Sequence, residues 1–204
     1  MRRNVIFVVA VFLVFTQTVD ARSLFEVGLS FSGIYENNTT SINDQLFEGM
    51  GKGENWTLGF GLSSRFSILE LSMMAMLPKA DEQGIDALAL LSSATLNFPL
   101  VTNKLYASVG GGLSTAFIFP ADESETKVNG KGVSTVSFED VIKESPIHLR
   151  FGLDFLIGSA KFGLHYIKQS LATITSLEET NGWGDLFKNG GNDKIAFIVQ
   201  LALF

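Results

Sequence analysis

Seven ionisable residues, Glu26, Arg65, Glu70, Arg150, Asp154, Lys161 and His165, share a positional habit. Each lies on the alternating face opposite a row of large apolar residues. The run IHLRFGLDFLI from Ile147 to Ile157 shows it best: Ile147, Leu149, Phe151, Leu153, Phe155 and Ile157 alternate with His148, Arg150, Gly152, Asp154 and Leu156. Side chains of this kind on one enclosed face have two outlets. They lock together as ion pairs, or they line a narrow polar path for ions or small solutes. Charges withdrawn from water survive only when paired and hydrogen-bonded, so a structural ion-pair network is the ordinary expectation. A second group on the same face is apolar: Ile34, Met74, Met76, Leu91, Ile118 and Ile167. Catalysis is not expected. The chain has two histidines, His148 and His165, without a nucleophile–base constellation around either. No HExxH, phosphate-loop or EF-hand spacing occurs, so neither a metal nor a cofactor is called for.

The elements that must position these residues are strands. Strict period-2 alternation gives a strand one apolar and one mostly polar face, whereas helical spacing from Ile147 would put Arg150 and Asp154 on the apolar stripe. Eight such segments can be read. They run from Leu24 to Tyr35, Trp56 to Arg65, Ile68 to Leu77, Ala87 to Phe98, Leu105 to Phe119 and Ile147 to Ile157. Lys161 to Ile167 and Ile195 to the C-terminus complete the set. Between them, 36–54, 79–86, 120–146 and 170–193 read as long polar or charged loops, and Pro99 to Asn103 as a turn. Acidic loop residues such as Glu125, Glu139 and Asp140 are read as solvated charges.

The N-terminus decides what the apolar face meets. Met1-Arg2-Arg3 precedes an apolar run from Val5 to Phe15, with small residues up to Ala21, which reads as a secretory signal peptide over 1–21. The mature chain, 22–204, suits one domain and has no cysteine. Eighteen Phe and 20 Gly in 204 residues favour a sheet protein over a helical one, and a net charge of −6 argues against a nucleic-acid partner. An even strand number, with long loops after the odd strands and short turns after the even ones, is the pattern of an eight-stranded antiparallel up-and-down transmembrane β-barrel in the bacterial outer membrane. A soluble barrel or sandwich is the alternative. Its second face would be Gly110, Gly112, Ser114 and Ala116, a poor solvent surface but a good lining for a narrow lumen. On this assignment Leu153→Arg is expected to be costly and the inward Gly152→Ser to be tolerated.

The mature chain resembles the small eight-stranded outer-membrane proteins related to OmpA, OmpX, OmpW and the opacity-type proteins. The resemblance rests on architecture and on the terminal Phe204. It implies contact with outer-membrane lipids and recognition of the last strand by the barrel-assembly machinery. One detail departs from the pattern. The apolar residues of that strand, Phe197, Val199, Leu201 and Leu203, lie out of phase with Phe204, so the strand either carries a bulge or presents Phe204 in another register. The sequence His165-Tyr166-Ile167 lacks the His-x-Ser arrangement of the deacylase type.

Strand directions place Glu26, Arg65, Glu70, Asp154, Lys161, His165 and Gln200 in the lower and middle lumen. The apolar six are placed near the extracellular end. An apolar cup above a polar plug implies an OmpW-like carrier, or narrow pore, for small hydrophobic solutes. The competing reading is a structural or adhesive surface protein with a plugged lumen and functional extracellular loops.

Overall fold

The computed structural model describes residues 25–36, 49–77, 86–101, 104–120, 125–179, 182–188 and 193–203. The segment read as a signal peptide and the terminal Phe204 lie outside them. Among the described residues ten strands are present: β1 Phe25–Glu36, β2 Trp56–Phe66, β3 Leu69–Leu77, β4 Asp86–Val101, β5 Leu105–Phe119, β6 Lys127–Val128, β7 Lys131–Gly132, β8 Ile147–Ile157, β9 Ala160–Gln169 and β10 Lys194–Ala202. All except β6 and β7 form a closed antiparallel ring in which each strand pairs with its neighbours in the chain and β10 returns to β1. These are the eight segments marked out by the alternation.

The stagger of the ring follows from the pairing. Stepping from register partner to register partner, Glu26 leads to Arg65, Glu70, Thr95, Gly110, Arg150, Ile167, Lys194 and back to Glu36, ten residues farther along β1. With a rise of about 3.3 Å per residue and strands about 4.8 Å apart, that stagger tilts the strands by roughly 40°. The interior of such a barrel is just wide enough to be filled by its own side chains.

The two faces are as the alternation requires. Leu58, Leu62, Leu71, Phe60, Phe151 and Leu153 are 45–73% exposed on the outside, an apolar surface that only lipid accommodates over a whole ring. At the outer end of this band Tyr35, Trp56 and Phe197 stack with ring centroids 5.6 and 5.7 Å apart. The Trp56 indole donates to the Met50 carbonyl at 2.7 Å, and the Tyr166 hydroxyl donates to Asp193. Aromatic rings with one apolar body and one satisfied polar tip belong at a membrane interface.

Two details differ from the sequence reading. β4 runs through Pro99 to Val101 rather than turning there. Its pairing with β3 ends at Leu96, so Pro99 has no neighbour on that side to which an N–H would be owed. The stretch 120–146 is not a plain loop. Val128 of β6 extends the pairing of β5 at Phe117, and Asn129 and Gly130, with φ of 49° and 85°, make the tight two-residue turn to β7. Helix α1, Phe138–Glu144, follows, and α2, Ile174–Glu178, lies in the next outer loop. Both helices start with capping boxes, Ser137 with Asp140 and Thr173 with Ser176. Hydrogen bonds from the Ser137 side chain and backbone hold the Asp140 carboxyl below its ordinary pKa, so this cap is intact at neutral pH. Of the two alternatives open for the last strand, a bulge is absent from Lys194–Leu201, which pairs on both sides with no register shift.

Candidate functional site in the barrel lumen

The lumen is built in layers. At the lower end Glu26 and Arg65, register partners on β1 and β2, form an ion pair at 2.7 Å. Glu70 of β3 pairs with Lys161 of β9 and accepts from the Asn97 amide at 3.4 Å. Gln200 donates to Ser63. The space left among Glu26, Arg65, Glu70, Lys161 and Gln200 is about 20 Å³, room for one water and not for a solute.

The middle layer is a relay across β8 and β9. Arg150 Nε donates to His165 Nδ1 at 2.9 Å, and His165 Nε2 lies 2.8 Å from Asp154 Oδ1. Because Nδ1 accepts, the imidazole carries its proton on Nε2 and donates it to the carboxylate. Arg150 also donates to Ser72 at 3.3 Å. Arg150, Asp154 and His165 are at most 4% exposed. The three lumenal acids, Glu26, Glu70 and Asp154, are thus matched by Arg65, Lys161 and Arg150, and the plug is neutral. Among the described residues two oxygens in it are left over: Asp154 Oδ2 and Ser108 Oγ, the latter on the register partner of Gly152, are buried without a hydrogen-bond partner.

Above lies an apolar layer. Ile34, Met74, Met76, Leu91 and Ile167 pack with Ala196 and Ile198, none more than 6% exposed. Five of the six residues placed at the upper lumen are therefore together. Ile118 is not among them. It stands four residues beyond Ser114, the register partner of Leu91, where β5 already pairs with Lys127 of β6.

A further group escaped the sequence reading. His148, fully buried beside the apolar layer, is held between Ser93 and Ser114 at 2.9 and 3.0 Å. Ser114 donates to Gln169 Oε1 at 3.1 Å, so its oxygen accepts from His148 Nδ1–H and Ser93 donates to Nε2. Ser93 faces Ser72 as a cross-strand partner, which places the His148 group next to the Arg150 relay. The signal was present, since His148 shares the phase of Arg150 and Asp154 in β8.

The expected tolerance of Gly152→Ser is corrected by this packing. A Cβ on Gly152 would fall on the His165 ring, and one on Gly163 would fall on the same ring and on Asp154 Oδ1. Both glycines exist because a neighbouring imidazole fills the space in front of them. Gly152→Ser and Gly163→Ala are each expected to cost about 1–3 kcal/mol by overpacking, read as a lowered urea midpoint in lipid vesicles.

With closure, tilt, apolar band and filled lumen established, comparison with known proteins is direct. No family model matches the chain, and no curated protein matches it. Among solved structures, the N-terminal β-barrel domain of Pseudomonas aeruginosa OprF superposes with a TM-score of 0.51 at 10% identity, over 87% of this chain and 97% of that one. The fold is that of a small eight-stranded outer-membrane barrel. Neisserial surface protein A gives a TM-score of 0.47 at 11% identity, over 89% and 99% of the two chains. Ail, the attachment invasion locus protein of Yersinia pestis, solved with the heparin analogue sucrose octasulfate, gives 0.41 at 11% over 87% and 96%. The OprF likeness carries the fold alone. What this barrel does has to be argued from its own lumen and mouth.

Proposed function

We propose that the chain is a closed-lumen barrel of the bacterial outer membrane that acts at its extracellular face, binding small solutes at the mouth rather than passing them through. The observation that carries this reading is the apolar layer. Ile34, Met76 and Ile167 are 0–3% exposed, so the level at which an apolar cup was expected is occupied by the side chains themselves. Below it the ion-paired plug leaves space for a single water. Outward of it the chain spends its ordered loop structure: the β6–β7 hairpin, α1 and α2, with Phe138, Trp183 and Phe187 largely exposed. Ile147 N–H donates to Ala172 and Ser170 N–H to Ile147, which fastens the last outer loop to the start of β8. The adhesive or structural reading draws on the same face. In both, β10 is the handle offered to the barrel-assembly machinery.

Proteoliposomes test passage against surface binding. Vesicles containing the barrel are expected to retain entrapped small neutral and charged solutes as well as protein-free vesicles do. Barrel-dependent leakage of either would overturn the closed-lumen reading.

A further inference from the structure

Just outward of the apolar layer the lumen opens into a cavity of about 390 Å³ that no feature of the fold requires. Its apolar side is Ala89 and Leu91 of β4 with Ala116 of β5, and its polar groups include Gln169 of β9 and Asn129 of the hairpin turn. A cleft of this size with one apolar side and a wider set of polar groups, several of them fixed by hydrogen bonds, has the make-up of a site for a small amphiphilic molecule.

The polar groups restrict what fits. Gln169 Oε1 is already taken by Ser114 at 3.1 Å, which fixes the amide and leaves its NH₂ as a donor. Asn129 is held just as firmly, with Oδ1 accepting from Ala116 N–H at 2.9 Å and Nδ2 donating to Ser145 at 3.0 Å. Two charged residues also line the cavity, and both are engaged. Glu144 is paired with Lys131 at 2.6 Å, and Lys194 has an interaction partner of its own. A charged guest would have to compete with the existing partners of these residues for its counter-ion, whereas a neutral guest meets apolar walls and an amide donor.

From this combination we propose that the mouth cavity binds a small neutral amphiphile: an apolar body against Ala89, Leu91 and Ala116, and a hydroxyl or carbonyl oxygen accepting from the Gln169 amide. The proposal rests on the reading that solutes are bound at the mouth, and it names their class.

Three probes with one apolar ring test it: cyclohexanol, cyclohexanecarboxylate and cyclohexylamine, added to the full-length barrel in lipid nanodiscs. Binding is read from the methyl resonances of Ala89 and Ala116. Cyclohexanol is expected to shift both saturably, with affinity at least tenfold above that of either charged probe. Gln169→Leu is expected to weaken cyclohexanol about fivefold, the worth of one hydrogen bond. Ala116→Phe, which fills the cavity without touching the amide, is expected to abolish the shift at Ala89, the remaining spectrum reporting that the barrel is folded. No saturable cyclohexanol shift, or equal or tighter binding of a charged probe, overturns the proposal. So does binding that survives Ala116→Phe in a folded barrel. Failure here is distinct from failure of the closed lumen, which shows as leakage from proteoliposomes whatever the nanodiscs report.

Discussion

Lys161→Met is expected to destabilise the folded barrel by about 3–5 kcal/mol, because it strips the ion-pair partner from a carboxylate buried in the lumen. Glu70 is 3% exposed, and with Lys161 gone its one remaining side-chain hydrogen bond among the described residues is from the Asn97 amide at 3.4 Å, since its register partner Arg65 is committed to Glu26. Removing both charges relieves the conflict. The double variant Glu70→Gln with Lys161→Met is therefore expected to recover most of the loss, since replacing a buried pair costs far less than breaking one. Urea unfolding in lipid vesicles reads both variants on one scale. A single-variant loss below about 1 kcal/mol would show that water enters the lower lumen freely, as at an exposed ion pair.

The second large effect lies on the opposite face. Leu153 is half-exposed at the middle of the lipid-facing band, between Phe151 and Phe155. Leu153→Arg is expected to cost about 2–4 kcal/mol, the penalty of a cation at the bilayer midplane. Leu58, 73% exposed, sits two residues from Trp56 in the outer aromatic belt, so Leu58→Arg is expected to cost only about 0–1 kcal/mol, its guanidinium reaching the interface. The same vesicle unfolding measurement compares them. Equal costs at the two positions would contradict the depth assigned to the band.

How much of this was legible without the structure differs by level. Period-2 alternation located all eight barrel strands and both faces, because one face buried in lipid and the other in a narrow lumen leaves no freedom in register. It also brought Glu26, Arg65, Glu70, Arg150, Asp154, Lys161 and His165 to the inside. What alternation does not encode is depth and volume. Ile118 shares the phase of Leu91's neighbours but stands above the apolar layer, since strands of unequal length in a staggered ring end at different heights. Gly152 looks like an empty inward position until the His165 ring is placed against it. The hairpin at Asn129-Gly130 was missed for another reason. Its strands have two residues each, too short to show a period, although the turn pair itself was readable. His148 carries the same phase signal as Arg150, but its partners, Ser93 and Ser114, come from strands distant in the chain and are not encoded in the alternation.

Single-channel conductance in planar bilayers tests the closed lumen most directly. The parent barrel, reconstituted and shown to be folded, is expected to give no current above that of the bare bilayer at either polarity. Ion-pair disruption by Lys161→Met alone is expected to leave it silent, because the layer of Ile34, Met74, Met76, Leu91 and Ile167 still fills the bore. Discrete, voltage-stable conductance steps from the parent protein would contradict the account.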